Sequence, residues 1–145
     1  MLSNVKLTAA NVPHKDSLTT EEKATLWKNI SSALIETGRP GIKRLLNWMQ
    51  SDCGNGVMNY VNAPASTKYH GNYPGGLMEH SWNVYVWLTI IVGNANSMKD
   101  ADAQLKNEES KAMMDSAAIV ALLHDICKVG FYSMEPKNRK TYDAE

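Results

Sequence analysis

The chain has 145 residues, 43% of them hydrophobic, which suits one domain with a buried core. Its 15 basic and 15 acidic residues cancel and the isoelectric point is near 6.9, so no global charge steers it toward nucleic acid or an anionic membrane. No apolar run approaches the ~20 residues of a membrane-spanning helix, the start MLSNVKLTAANVPHKD has no signal-type apolar core, and Cys53 and Cys127 alone make no disulfide framework, so a cytoplasmic, reduced protein is expected.

Residues 1–18 are polar and irregular and read as an arm packed on a single helical domain, 19–145. Thr19-Thr20-Glu21-Glu22 fits a capping box, and the helix it opens should run to about Thr37. Leu26, Ile30, Ala33 and Leu34 fall on its inner face and Gly38 ends it. Pro40 suits the first turn of a second helix with the apolar stripe Ile42, Leu45, Leu46 and Met49, which Trp48 extends. From Cys53 to Gly76 the periodicity disappears in a Gly-, Asn- and Pro-rich stretch that carries Tyr60, Tyr69, His70 and Tyr73. Its aromatics predict an ordered loop.

A third helix starts near Gly76, with Leu77, Ser81, Val84, Leu88 and Ile91 repeating at helical spacing. His80 shares a side with Val84, Trp87 and Ile91 and is expected to point inward. GNANSMKDADAQLKNEES reads as a polar connector, and a fourth helix should span Ser110 to Lys128, ending at Gly130. Glu135-Pro136-Lys137-Asn138 reads as the turn of a short C-terminal β-hairpin. The fold class predicted is mainly α.

The chemistry gathers at ALLHDICKVG, where His124 and Asp125 follow the apolar run Ala117 to Leu123. An acid beside the negative end of a helix dipole is locally disfavoured, and a buried carboxylate needs a partner. The residues leave two partners open: an ion pair with Lys128 or Arg44, or a divalent cation shared with His80. Two imidazoles and a carboxylate suit Zn, Mn, Fe or Ni. Walker-type, GxGxxG, HExxH and GxSxG motifs are missing, and neither cysteine lies in a nucleophile motif. Gly75-Gly76 offers amides for phosphate, though such a pair more often just turns the chain.

The spacing of His80 from His124–Asp125, with Lys128 three residues on, resembles the HD superfamily of metal-dependent phosphohydrolases. PASTKYHGNYPGGLMEHSWNVYVW and AAIVALLHDICKVGFY are similar to the two leading motifs of its phage-type and bacterial hydrolase branch, itself similar to HD-type 3'-5' exoribonucleases. The likeness covers about residues 60–135. It implies an HD-type helical bundle around one or two divalent ions (Mn, Fe, Ni, Zn or Mg). Carried over by position, His80, His124 and Asp125 become metal ligands. Asp125 also orients the attacking water, and Lys128 faces the substrate phosphate and offsets charge on the phosphoryl oxygens. His70 becomes a substrate contact, against the plainer reading of a surface loop histidine. Glu79 becomes a hydrogen-bonding neighbour of a ligand or a plain exposed carboxylate. The implied reaction is hydrolysis of a small phosphorylated substrate, such as a nucleotide or an RNA end.

Family members complete the site with an Asp on a later helix. Asp143 is the sole late Asp here, on a strand-like tail, and Asp115 lies about two and a half helical turns before Asp125. The expectation is therefore a truncated HD domain whose fourth ligand is absent or supplied by water or a neighbouring subunit of a homo-oligomer. An incomplete site leaves two alternatives: a non-catalytic metal- or nucleotide-binding module or assembly partner, and a purely polar network.

Overall fold

A computed structural model of the chain describes residues 17–97 and 103–133. The described part is mainly helical, with α1 (Thr20–Glu36), α2 (Ile42–Gln50), α3 (Gly76–Ser97), α4 (Ala103–Leu123) and a 3-10 turn (Ile126–Lys128). α3 and α4 form the main helix pair, α1 packs on both, and α2 packs on α1. No helix among the described residues is long and apolar enough to cross a membrane.

The capping box forms as the sequence predicts. The Glu22 amide donates to the Thr19 hydroxyl at 3.1 Å and the Thr19 amide donates to the Glu22 carboxylate at 2.8 Å. Thr19→Ala should lower stability by about 1 kcal/mol. Urea denaturation checks this, and an unchanged midpoint would mean that the cap contributes nothing. α1 buries Ile30, Ala33 and Leu34, with Leu26 at the edge of the core. Gly38, at φ 64°, turns the chain after it.

α2 begins two residues after Pro40, because Gly41 occupies its N-cap at φ 85° and Pro40 lies in the turn before it. Ile42, Leu46 and Met49 are buried and Leu45 lies at the edge of the core, but Trp48 is exposed and does not extend the stripe.

The two long helices depart most from expectation. α4 starts at Ala103 and stops at Leu123, so much of the expected polar connector is helical. Ala, Gln, Leu, Lys and Glu are strong helix formers whether or not a face is buried. On α3 burial is deepest in the first turns: Leu77, Met78 and Ser81 are buried, Val84 and Leu88 on the expected stripe are half-buried, and Trp87 and Ile91 are 60% and 61% exposed. Periodicity marks an apolar side without showing whether anything covers it.

The long loop between α2 and α3 is ordered by specific bonds. Tyr60 and Ala63 enter the core beside Ile30, Leu34, Met49, Leu77 and Leu122. The Leu77 amide donates to the Ala63 carbonyl at 3.0 Å and the Ala65 amide to the Gly71 carbonyl at 2.8 Å. The segment after the 3-10 turn meets the same loop, through Met58 N–H to Tyr132 O (2.9 Å), Gly130 N–H to Met58 O (3.0 Å) and an isolated antiparallel bridge between Val57 and Ser133. The turn expected at Glu135-Pro136-Lys137-Asn138 and the late Asp143 lie outside the described residues, as do residues 1–16 of the expected arm. Leu18, at its end, is buried.

Candidate metal centre

α4 ends at Leu123 because side chains take over its last carbonyls. The His124 ring nitrogen Nδ1 donates to Ala121 O at 2.8 Å, and the buried Tyr60 hydroxyl donates to Leu122 O at 3.1 Å. Burial pushes the Tyr60 phenol up to about 12, so it remains a donor at any ordinary pH. The expected continuation of the helix to Lys128 is thus replaced by a turn at His124-Asp125 and the short 3-10 segment. This turn aims both side chains at the first part of α3.

There they meet His80. The His80 and His124 Nε2 atoms are 3.1 Å apart, and Asp125 Oδ2 lies 3.4 Å from the first and 3.5 Å from the second. These side chains are 23%, 31% and 21% exposed, so the group lines the rim of the helical pair and not its core. The sequence expectation of an inward His80 is corrected to that extent. Among the described residues, His80, His124 and Asp125 form the group able to hold a metal ion.

The spacing fits an ion. With bonds of about 2.1 Å, neighbouring ligand atoms stand about 3.0 Å apart in an octahedron and about 3.4 Å apart in a tetrahedron. The three separations, 3.1, 3.4 and 3.5 Å, are those of one face of such a polyhedron. The ring of His124 is pre-oriented: its Nδ1–H bond to Ala121 O leaves Nε2 facing His80 and Asp125.

Lys128 completes the constellation. Its ammonium lies 2.7 Å from Asp125 Oδ2 and donates to Ala65 O at 2.6 Å, which ties the loop to the 3-10 turn. Of the two ion pairs left open by the sequence, that with Lys128 forms; Arg44 lies in a separate cleft with Arg39 and Lys43. His70 sits on the loop beside the centre, its ring 5.1 Å from that of His80, while remaining exposed. Glu79 accepts a hydrogen bond from the Tyr73 hydroxyl, so it braces the loop against α3. Asp115 pairs with Lys111 at 2.7 Å. The Gly75-Gly76 amides donate to Asn62 O and Tyr73 O, which sets aside a phosphate cradle there.

Charge state favours ligation. Burial pushes the His80 imidazole below its ordinary value and the charge of His124 adds to this, with Asp125 opposing. Burial pushes the Asp125 carboxyl up, but the Lys128 hydrogen bond and charge, with both imidazoles, outweigh it and hold it below the ordinary carboxylate range. Both shifts make the metal-free fold acid-sensitive. An unfolded His takes up its proton near pH 6.5, before His80 does in the fold, so His80 costs stability as pH falls through that value. Asp125 contributes stability above the unfolded carboxylate value, and this is lost as pH falls through its lower folded value. In chelator, the melting midpoint should fall from pH 7 to 5, and less so in His80→Gln. An equal fall in both proteins would show that His80 has no part in it.

The fold and site together define a mainly helical domain with a His–His–Asp group on the rim of its long helix pair. Compared with family models, curated proteins and solved structures, the chain matches none.

Proposed function

We propose that the chain is a metal-dependent phosphohydrolase of HD type, in which His80, His124 and Asp125 hold a divalent ion and a small phosphorylated substrate, a nucleotide or an RNA end, is hydrolysed. One observation carries the reading: three ligand atoms from α3 and the turn after α4 converge at 3.1 to 3.5 Å, on side chains that remain open to solvent. The mainly helical architecture and the order His80, then His124-Asp125, then Lys128 support an HD-type bundle in particular.

A bound ion would supply positive charge for phosphoryl oxygens and lower the pKa of water at the site. The chain's own residues do the rest. Ala121 O fixes the His124 tautomer. Asp125, kept ionised by Lys128, supplies the anionic ligand and an acceptor that can orient water. Lys128 adds a second cation next to the phosphoryl group, and His70 stands on the loop side of the centre with its ring 5.1 Å from that of His80.

A second reading has its own support. Lys128 already neutralises Asp125, and a His80 Nε2–H can donate to His124 Nε2, so the group also closes as a metal-free polar network. Metal content after exhaustive dialysis separates the two, since a network retains no ion. Turnover of a phosphodiester reporter with Mn, Ni or Mg then separates an enzyme from a non-catalytic metal- or nucleotide-binding module. His124→Ala and Asp125→Ala should each abolish that turnover; unchanged rates would rule out this centre as its source.

A further inference from the structure

We propose that His70 is a fourth protein ligand of the ion at His80, His124 and Asp125, delivered by the loop ahead of α3; the proposal rests on the metal-centre reading. His80 has two imidazole neighbours at the same separation. The His124 ring centroid is 5.1 Å away, and that ring shares a ligand face with it. The His70 ring centroid is also 5.1 Å away, tilted by 41°.

His70 therefore stands as near to His80 as the ring that already offers its nitrogen beside it. Its own nitrogens are outside the group whose ligand atoms all lie within 4.8 Å of one another. Seating one of them requires the ring to turn inward.

The loop permits that motion while holding the backbone. The Ser66 hydroxyl donates to His70 O at 3.0 Å and accepts from the Tyr69 amide at 3.0 Å, which pins the turn. The Ala65 amide bonded to Gly71 O and the Lys128 ammonium bonded to Ala65 O anchor both ends of it to the centre. The His70 ring, by contrast, is exposed and lies against that of His80. A fixed backbone with an exposed imidazole next to three converged ligand atoms is the arrangement of a ligand that closes on loading. His3Asp is a donor set suited to Zn and neighbouring transition ions more than to Mg.

The test is titration of the full, metal-stripped chain with Co2+, read by visible absorption. Wild type should develop the intense bands of a four-coordinate ion. His70→Ala should bind at least about tenfold more weakly, since loss of even an outer-shell partner costs 10–100-fold, and its bands should weaken as water replaces the imidazole. Its metal-free melting midpoint should match wild type, because the ring is exposed. His124→Ala should show no Co2+ bands. If His70→Ala binds Co2+ with wild-type affinity and spectrum while His124→Ala does not bind, His70 is not a ligand and the three-residue centre stands. If wild type takes up no Co2+, the centre itself falls and His70 with it.

Discussion

Asp125→Asn is expected to remove the stabilisation that a divalent ion at the proposed centre would confer on the fold. The substitution keeps the side-chain volume and deletes the one anionic donor facing both His80 Nε2 and His124 Nε2, at 3.4 and 3.5 Å. An ion that binds only the folded chain stabilises it by about 2.7 kcal/mol at 100 times its dissociation constant. For a domain of this size that is roughly 8 °C in melting midpoint, at about 3 °C per kcal/mol. Wild type should gain this on adding Zn or Mn, and Asp125→Asn should gain less than about 1 °C. In chelator the variant should still be slightly less stable than wild type, because the Lys128 ammonium loses a partner at 2.7 Å and keeps Ala65 O. A metal-dependent gain that survives Asp125→Asn would remove the carboxylate from the ligand set. Thermal scans with and without metal decide it.

Gly76→Ala is expected to be strongly destabilising although it lies outside the centre. A Cβ at Gly76 would overlap the Gly71 carbonyl oxygen and stand 2.8 Å from Gly71 Cα. Both are backbone atoms, so no rotamer change relieves the clash. Overpacking of side chains costs about 1–3 kcal/mol, and a backbone obstacle should reach at least the upper end, about 3 kcal/mol. The displacement also has a path to the centre: Gly71 O accepts from Ala65 N, Ala65 O accepts from Lys128, and Lys128 pairs with Asp125. Metal affinity should therefore fall along with stability. Gly93→Ala on the same helix is the control, since a Cβ there meets nothing within 4 Å among the described residues and Ala is the better helix former. Urea denaturation should show a large loss for the first and a gain of up to about 1 kcal/mol for the second. A Gly76→Ala protein as stable as Gly93→Ala would contradict the close packing of the loop on α3.

Local chemistry explains which parts of this could be read from the chain. The Thr19–Glu22 box and the inner face of α1 involve residues three or four apart, where pattern and contact coincide. His80 and the His124-Asp125 pair were legible for a related reason: each sits at the end of an apolar helical stretch where a polar side chain needs a partner. The ends of α4 were not legible. Its start falls in a segment that reads as a polar connector, and its stop is set by Tyr60 reaching Leu122 O from 62 positions away. The anchoring of the loop depends on backbone acceptors at Ala65 and Gly71, which leave no mark in a pattern of side chains. Trp87 and Ile91 show the opposite failure, an apolar pattern without a covered face. The place of His70 beside His80 depended on loop geometry, and only the likeness of YHGNYPGG to a family motif hinted at it.

Diffraction from crystals of the Zn- or Mn-loaded chain, measured above and below the metal's absorption edge, tests the central claim most directly. The predicted result is one strong anomalous peak about 2.1 Å from His80 Nε2, His124 Nε2 and Asp125 Oδ2. The contradicting result is no peak at that junction, with Lys128 still seated on Asp125 and the two imidazoles bonded to each other.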